Sequence, residues 1–540
     1  MESITSSDLR WWAQEQLSSL RSILDSSHPL VKSALELAEK HWIATVVISW
    51  IVYEIGLAIY RLYFHPLAKY PGPKLAAVTA FYEFYYDFYA TPKGQTHEKI
   101  LSLHDLYGDI FRLGPNKLRV NDLQAYDKIH GIGTRFILSD FYKGSQMPKA
   151  LFTQEDNKVH RERRRILSPL FTKTETNRLL PLVSRKTRMF FDRIERDCQA
   201  TGKVAWEAHH RMQAILSDII MEFCYGRSYN LLAQEDQHHA MNEAMNEVVK
   251  KYPILKYVPW ITGIFKALPF AVNEWLIPGS TMLDQAALTL AKELEVQFKQ
   301  KEAGTFKKDP NGPVTVYNEL LESYDDKEAL VQDATMIYAA GVHTVAHLLT
   351  VAFYHIAADK TIQDRLFKEI KSVWPDRDGA RPAVETLEAL PYLTAFIKEA
   401  RRLSYGISGA LPRKTPPGGA ELAGQRLPAN IVVETSPFSI HHHRAFGTRE
   451  ETRKFRPERW LDPSSRNLEK YIVNFSSGSR ICLGIHLAML EIYHILPEMV
   501  RRYEIELGDV MKEEGFRFID SWMPLAERHD LDFLLTVREE

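Results

Sequence analysis

Cysteine is scarce in this chain of 540 residues, with only three, Cys198, Cys224 and Cys482. The odd number and wide spacing exclude a disulfide framework and a C-x-x-C metal or redox site, so any cysteine function must rest on a single thiol. The first two lie within helical patterns, and we expect no role for them. A basic excess is missing too, since 68 Lys and Arg face 69 Asp and Glu. Without a basic face to neutralise phosphates, we expect no nucleic-acid partner.

Repeats and low-complexity segments are also missing. With 45% apolar and 11% aromatic residues, and 26 Gly and 27 Pro, the composition excludes disordered and collagen-like classes. Most of the chain has the i, i+3, i+4 apolar spacing of helices, over residues 177–199, 211–224, 282–301, 330–357, 361–373, 393–403 and 483–503. Strand-like runs are short, at residues 109–113, 117–120 and 431–435. The sequence predicts a mainly α, helix-dominated α+β fold.

Long hydrophobic runs are rare, and one stands out near the N-terminus. Residues 43–60 (IATVVISWIVYEIGLAIY) contain a single charge, Glu54, and approach the roughly 20 apolar residues that span a bilayer. A signal peptide fits poorly, because about 40 residues precede the run and no small-residue cleavage site follows it. The alternative is a buried amphipathic helix, which Glu54 leaves open because a carboxylate at bilayer depth is costly. We expect a single transmembrane anchor here.

The anchor divides the chain into four expected parts, which are an N-terminal extension (1–42), the anchor (43–60), a hinge (61–75) and one large domain (76–540). The hinge is stiff because its prolines remove backbone donors and restrict the preceding residues; they are Pro66, Pro71 and Pro73. Basic residues near the anchor are slightly in excess on its C-terminal side, with Arg61, Lys69 and Lys74 against Lys32 and Lys40. By the positive-inside rule, the large domain then faces the cytosol.

The chemistry concentrates in FSSGSRICLG, residues 475–484. Gly478 and Gly484 allow a tight backbone turn and the close approach of a flat ligand. Cys482 precedes the apolar run LGIHLAMLEIYHIL, where a helix N-terminus and free backbone N–H groups stabilise a thiolate. Such a thiolate is a candidate axial ligand to haem iron. Arg480, two residues upstream, can reach a haem propionate through charge-assisted hydrogen bonds.

The haem-binding loop of the cytochrome P-450 family has the pattern F-x-x-G-x-R-x-C-x-G, which this chain resembles at Phe475, Gly478, Arg480, Cys482 and Gly484. EARR matches the family's E-x-x-R as Glu399 and Arg402, one helical turn apart. FRPERW matches its Pro-Glu-Arg motif, whose arginine, here Arg459, completes a structural triad in the family. The hinge and the run LPYLTAFIKEARRLSYG are similar to the fungal branch that includes trichodiene oxygenases and pisatin demethylases. The resemblance implies a cytochrome P-450 fold with small β-sheets and haem b.

Further haem contacts follow from the resemblance. HRERRRILSPLF looks like the family's C helix, with Arg164 at a propionate-binding position and His160 where many members carry Trp. In LPRKTPP, Arg413 is placed like the family's other propionate-binding arginine. The resemblance makes Cys482 the axial ligand of the iron.

The family's oxygen-activation helix carries A-G-x-[DE]-T, and this chain has AGVHT at residues 340–344. The resemblance implies that small Ala340 and Gly341 leave room for dioxygen and substrate, and that Thr344 helps to deliver protons. His343 replaces the family's acid. A neutral imidazole can relay a proton, because one nitrogen donates while the other accepts. The alternative is that His343 points away from the iron or only shapes the substrate pocket.

Two histidine patterns raise the question of a metal site. His343 and His347 are four residues apart, as in zinc pairs, but Thr344 stands where H-E-x-x-H needs Glu. Residues 441–443 are three adjacent histidines, and adjacent residues on a strand point to opposite faces. We expect neither pattern to bind a metal.

The resemblance also implies where a substrate binds. Residues 252–279 hold aromatic side chains among prolines and few charges, where the family places a membrane-dipping region that admits lipophilic molecules. Ordinary packing is the alternative for this stretch. Residues 135–151, 338–345 and 407–411 complete a mainly apolar pocket, which suits a terpenoid or polyketide.

The sequence therefore predicts a haem-thiolate monooxygenase of the endoplasmic reticulum membrane that hydroxylates or epoxidises a lipophilic secondary metabolite. No G-x-G-x-x-G pattern is present, so NADPH-derived electrons come from a separate reductase, with cytochrome b5 as a second donor. Two alternatives stay open. One is a haem-thiolate isomerase, dehydratase or peroxide-driven enzyme, and the other is a non-catalytic haem protein that binds a lipophile in the membrane.

Overall fold

The computed structural model describes residues 41–90, 94–145, 147–235, 237, 240–257, 268–276, 292, 295, 298–305, 315–323, 326–526 and 532–539. The expected N-terminal extension, the helix at residues 282–301 and the centre of the stretch 252–279 lie wholly or largely outside these residues. The chain forms two compact units, residues 1–69 and 70–540. The boundary between the units falls within the sequence predicted as a hinge.

The first unit contains the expected anchor. An α-helix runs from Trp42 to Ile59 and continues as a π-helical turn, Tyr60–Phe64. None of these 23 residues is buried in the protein, and the mean hydropathy of their most apolar 18-residue window is 1.9. The helix is therefore a candidate membrane span by length, composition and exposure.

The second unit is mainly helical. Its described α-helices are Lys74–Val78, Phe81–Phe88, Thr96–Tyr107, Leu123–His130, Asn157–Leu167, Lys173–Asn177, Leu180–Thr201, Ala208–Tyr225, Ala240–Tyr257, Phe270–Leu276, Val316–Ser323, Lys327–Ala358, Lys360–Val373, Val384–Glu388, Pro391–Ser404, Pro437–His441, Arg449–Arg453, Ile485–Arg502 and Asp509–Glu514. The predicted mainly α fold is confirmed. Each predicted helix within the described residues is present, with ends displaced by at most three residues.

The strands are short and form four small sheets in the described part of the chain. They are β1 (Ile110–Gly114), β2 (Lys117–Val120), β3 (Ile137–Leu138), β4 (Val204–Glu207), β5 (Leu411–Lys414), β6 (Ala420–Leu422), β7 (Gln425–Leu427), β8 (Val432–Thr435), β9 (Tyr503–Leu507), β10 (Phe518–Ser521), β11 (Met523–Ala526) and β12 (Asp532–Val537). The largest sheet has the order β1-β2-β8-β5-β3, with only β2 and β8 parallel. The others are β4-β12-β9, β6-β7 and β10-β11.

The core surrounds the helix Lys327–Ala358, called the long helix below. Asp326 caps its start by accepting from the backbone N–H groups of Glu328 and Ala329. By its length and composition this helix could cross a membrane, but 72% of its most apolar window is buried inside the protein. The helix Ala208–Tyr225 packs along it and buries most of its own side chains. The long helix is thus a core element, apolar on most faces because neighbours cover it.

The strand interpretation of residues 441–443 is wrong. His441 ends the helix Pro437–His441, and all three histidines are buried. The ring of His441 lies between two backbone partners, with Nδ1 2.6 Å from the carbonyl oxygen of Arg402 and Nε2 accepting from the N–H of Val473 at 2.8 Å. Buried polar atoms need such partners, so this ring serves local hydrogen bonding.

Candidate active site

The cysteine loop, residues 475–484, turns tightly ahead of the C-terminal helix Ile485–Arg502. Cys482 N–H donates to the carbonyl of Phe475 at 2.8 Å and closes the loop. Gly478 has φ +68°, and a Cβ there would lie 2.0 Å from the carbonyl oxygen of His130, so the turn and its packing require glycine. At Gly484 φ is an ordinary −88°, and the turn alone does not require glycine there.

Cys482 is the exposed cysteine, whereas Cys198 and Cys224 are buried. Although solvent reaches it, desolvation by the surrounding protein raises the pKa of the Cys482 thiol. The Gly484 N–H and the Arg164 guanidinium act in the opposite direction without overcoming desolvation. Desolvation thus opposes formation of the expected thiolate, and coordination to a metal cation would favour it, because a coordinating thiol is deprotonated.

Positive side chains from three distant segments converge beside this loop. Arg164 and His160 lie one turn apart on the helix Asn157–Leu167, and Arg413 lies on β5. Burial, together with the guanidinium groups of Arg413 and Arg164, lowers the pKa of Arg480 to about 10. Burial, Arg480 and Arg164 lower the pKa of His160 to about 3, so this imidazole is neutral. The three arginines form what we call the arginine cluster.

The arginine cluster has few anionic partners. Arg480 donates to the carbonyl of Gln154 at 2.7 Å and to Asn157 Oδ1 at 2.9 Å. Arg413 donates to the hydroxyl of Tyr142 at 2.9 Å. Within the described part of the chain, no carboxylate oxygen lies within 4 Å of Arg164, Arg413 or Arg480. Neighbouring buried cations repel one another, so the cluster suits an anionic ligand.

The predicted triad comes together away from solvent. Glu399 and Arg402 are fully buried and form a bidentate pair, with N–O distances of 2.8 and 3.0 Å. Arg459 Nε lies 3.6 Å from the Glu399 carboxylate. Trp460 Nε1 and the Arg456 N–H also donate to this carboxylate. Burial would raise the pKa of Glu399, but Arg402 and Arg459 outweigh it and lower that pKa.

Part of the AGVHT segment lies on an open face of the long helix. Ala340 is exposed, and Gly341 and Thr344 are half-buried. Thr344 Oγ1 donates to the carbonyl of Ala340 at 2.8 Å, and the helix continues unbroken through this bond. A Cβ at Gly341 would lie 3.0 Å from the side chain of Ile220, so close helix packing accounts for a glycine there.

His343 lies beside this face and is buried, with 4% of its surface exposed. Its ring meets that of His209 edge-on, with centroids 5.6 Å apart. Among the described residues neither ring nitrogen makes a well-formed hydrogen bond, although the Pro524 carbonyl lies nearby. Burial lowers the pKa of His343 to about 4, so the ring is neutral near pH 7. Its relay role stays a prediction.

Comparison with known proteins decides the family. The cytochrome P450 family model matches residues 79–520, most of the chain. The chain belongs to the cytochrome P450 family. It is 31% identical over 480 residues to the cytochrome P450 monooxygenase MO6277 of Ascocoryne sarcoides, covering 86% of this chain and 92% of that protein. The chain is accordingly an oxidoreductase that incorporates oxygen, and haem b with an axial cysteine thiolate is its cofactor.

Other fungal relatives and a solved structure agree. The cytochrome P450 monooxygenase TRI4 of Fusarium sporotrichioides is 27% identical over 488 residues, covering 90% of this chain and 92% of that protein. The crystal structure of the cytochrome P450 CYP102L1 has a TM-score of 0.66 with 16% identity, covering 82% of this chain and 94% of that chain. This last likeness shows the shared P450 fold.

The residues present fit haem b. Its two propionates supply the anions that the arginine cluster lacks within the described chain, and its iron suits the exposed thiol of Cys482. His160 is neutral and buried beside the same cluster. On the open face of the long helix, the small side chain of Ala340 and the hydroxyl of Thr344 would be available to a bound group.

Sequence reasoning placed Phe141, within residues 135–151, in the substrate pocket but missed the two aromatic side chains that form a wall with it, Phe152 and Trp522. Trp522 lies in the turn between β10 and β11, and its Nε1 donates to the Ala410 carbonyl at 2.8 Å. Its ring centroid is 6.0 Å from that of Phe141 and 5.6 Å from that of Phe152. We call Phe141, Phe152 and Trp522 the aromatic wall. In the sequence, Trp522 is only a tryptophan in an apolar run near the C-terminus, and that run has no helical or strand periodicity.

A small polar cavity adjoins the aromatic wall and was also missed. Its volume is about 30 Å³, and Phe141 and Trp522 line one side. Its charged lining residues are Asp87, Arg119, Lys256, Glu434 and Asp520. Burial and the neighbouring Asp87 carboxylate raise the pKa of Asp520 to about 6. Because charges from five segments meet only in the fold, no local motif indicates this cavity.

Proposed function

We propose that this P450 is a membrane-anchored haem-thiolate monooxygenase that hydroxylates or epoxidises a lipophilic secondary metabolite of terpenoid or polyketide type. One observation carries the haem site, namely that a single exposed thiol lies beside three arginines without a carboxylate partner in the described chain. The fungal monooxygenases that resemble this chain support the reaction type.

Different residues hold different parts of the cofactor. Cys482 binds the iron, while Arg164, Arg413 and Arg480 bind the propionates, and Phe475 and Gly478 shape the loop. Haem b held in this way supplies dioxygen binding and O–O cleavage, which an axial thiolate favours. The closed loop keeps the thiol at the start of the C-terminal helix.

The long helix orients the reacting molecules and handles protons. Ala340 has no bulk beyond a methyl group, so it admits substrate near the iron. The Thr344 hydroxyl is held by the Ala340 carbonyl and keeps a lone pair for a water or an oxygen ligand. His343 passes protons to this region as a neutral imidazole, because its two ring nitrogens can donate and accept in turn.

The substrate rests on the aromatic wall, which suits a lipophilic body. The polar cavity next to it can accommodate one small polar substituent. Electrons come from a separate NADPH-cytochrome reductase, with cytochrome b5 as a second donor, because no dinucleotide-binding motif is present in the chain.

Turnover and ligand binding test this function. Purified protein with a fungal reductase and NADPH should consume oxygen and yield hydroxylated or epoxidised product from a panel of terpenes and polyketides. Binding of each compound is read from the shift of the haem Soret band. Product formation from a binding compound without NADPH or reductase would contradict the proposal.

A second candidate is peroxide-driven or isomerising haem-thiolate chemistry, which the replacement of the family's acid by His343 favours. Such an enzyme turns over with hydrogen peroxide, or without any oxidant, when reductase is left out. A non-catalytic lipophile-binding protein would show Soret shifts but no oxygen consumption with any compound. The three functions thus differ in one assay series.

We place the anchor, Trp42–Phe64, across the endoplasmic reticulum membrane with the catalytic unit in the cytosol, on its exposure and flanking charges. Deleting residues 1–62 should convert an integral protein into one that high salt releases at least in part. The matched control deletes residues 1–40, which leaves the span intact and should leave the protein resistant to salt and carbonate. Carbonate extraction of the full-length protein would contradict a span, and antibody access to the C-terminus in intact microsomes tests the orientation.

A further inference from the structure

An ion pair joins the long helix to the segment that carries Arg164. Asp333 is 2% exposed, and one of its carboxylate oxygens bonds to Nη2 of Arg163. The other oxygen accepts from the N–H of Leu151 at 2.5 Å. Arg163 also donates to the Lys149 carbonyl. Asp333 thus bonds both to the helix Asn157–Leu167 and to the loop that precedes that helix.

Asp333 lies on the face of the long helix that bears Ala340. It precedes Ala340 by seven residues, which is two helical turns or about 10 Å along the axis on the same face. The adjacent Gln332 strengthens the joint, because its side-chain oxygen accepts from the Lys149 N–H at 2.7 Å. Three backbone groups of the loop therefore have side-chain partners on two helices. The long helix accepts from the N–H groups of Lys149 and Leu151, and Arg163 donates to the Lys149 carbonyl.

The same segment is bonded to the cysteine loop in its middle. Arg480 donates to the Gln154 carbonyl and to Asn157 Oδ1, at the start of the helix Asn157–Leu167. Asp156 caps that helix by accepting from two of its first N–H groups. Residues 149–164 therefore connect the long helix, which they contact through Lys149, Leu151 and Arg163, with the cysteine loop, which Arg480 joins to Gln154 and Asn157.

We propose that the Arg163–Asp333 pair is a positioning element, which sets how the helix Asn157–Leu167 lies between the long helix and the cysteine loop. Arg163 is the direct neighbour of Arg164, so a rotation of this helix would move the Arg164 guanidinium away from Cys482. The pair touches neither the haem nor the substrate and acts through Arg164 and the loop. This inference rests on the proposed haem site.

Removing either charge breaks the ion pair and leaves the opposite charge in place, whereas removing both charges does not. We therefore expect Asp333→Asn and Arg163→Gln each to accelerate transfer of haem to apomyoglobin by about 10-fold, as outer-sphere changes do at metal sites. The double variant should be no worse than either single one, and Arg163→Lys should restore part of the loss. Glu328→Gln is the control, since it breaks an exposed pair between the long helix and the same Lys149.

A second measurement needs no haem. In the haem-free protein, hydrogen exchange of the peptide containing Leu151 should accelerate in Asp333→Asn and stay unchanged in Glu328→Gln. Additive haem-release effects in the double variant, or a lower free energy of unfolding with haem release unchanged, would overturn the positioning role. A failed haem site would instead appear as an unchanged spectrum in Cys482→Ala, and it would leave the exchange result intact.

Discussion

Two groups of arginines in this P450 differ in what neutralises them. In the triad, Arg402 and Arg459 surround the Glu399 carboxylate, and Arg402 also donates to the carbonyls of His441 and Thr452. The chain itself satisfies these buried charges. In the arginine cluster, Arg164, Arg413 and Arg480 face a thiol and neutral oxygens, with no carboxylate within 4 Å in the described residues.

The difference separates a structural site from a ligand site. A buried charge set that is complete within the chain holds segments together and gains nothing from a ligand. A set that lacks its counter-charge is stabilised when an anion binds, which makes binding free energy available for haem. Both groups contain arginine because its planar fork pairs with carboxylates, whether these belong to glutamate or to a propionate.

The largest effect is expected at the thiol beside the arginine cluster. Cys482→Ala should abolish turnover and the thiolate-type spectrum of the reduced carbon monoxide complex, because no second thiol lies in the loop. Cys198→Ala and Cys224→Ala are the controls and should keep both signals, since these buried thiols lie elsewhere. Retention of the thiolate spectrum in Cys482→Ala would refute the assignment of the ligand.

The next largest effect should come from breaking the self-contained triad. Glu399→Gln leaves Arg402 and Arg459 buried without an anion, which costs about 3 to 5 kcal/mol of the free energy of unfolding. Denaturant unfolding of the haem-free protein measures it. Glu458→Gln breaks the half-exposed pair with Arg365 close by, and should cost less than about 1 kcal/mol. Equal losses in the two variants would show that the triad does not hold the fold.

The arginine cluster should respond in the opposite sense. Arg164→Gln removes one of three mutually repelling cations, so the haem-free protein should unfold no more easily than wild type. Haem release should accelerate by about 10-fold or more, since a hydrogen bond to a charged group contributes about 1.5 to 3 kcal/mol. Arg165→Gln, at the exposed neighbour, should change neither quantity. A loss of stability without faster haem release would place Arg164 with the triad.

The smallest effect concerns a buried group that carries no charge. Burial lowers the pKa of His343 to about 4, below its ordinary value near 6.5. The unfolded chain therefore binds the extra proton between these pH values, and the stability that neutral His343 contributes is present above about pH 6.5 and lost as pH falls toward 4. His343→Phe should lower the slope of the unfolding free energy against pH by up to about 1.4 kcal/mol per pH unit in this window. The substitution His486→Phe, at an exposed histidine, is the matched control.

The same variant tests the relay. If His343 passes protons, His343→Phe should divert electrons to peroxide and lower product per NADPH, whereas His343→Asp and His343→Glu should preserve much of it. The ratio of product to NADPH consumed is the measurement. An unchanged ratio with altered substrate affinity alone would show that the ring shapes the pocket.

Local motifs predicted the parts of the site that are close in sequence. Glu399 and Arg402 are one turn apart on a helix, and Gly478 and Cys482 share a single loop, so spacing alone was informative. The strand interpretation of residues 441–443 failed because a helix end and its partners decide their geometry. Phe152 and Trp522 were missed because they join Phe141, which lies in the predicted pocket segment 135–151, only in the folded chain.

By itself, the sequence determined the available chemistry, since residue types and short spacings are properties of the chain before it folds. One thiol in a glycine-containing loop, one Glu-Arg turn and one long apolar helix could be read directly. Only the tertiary structure decided which arginines lack a counter-charge, and that Gly341 packs on Ile220 while His343 lies beside His209. Neutralisation and burial depend on neighbours brought from distant segments, and no local pattern encodes those distances.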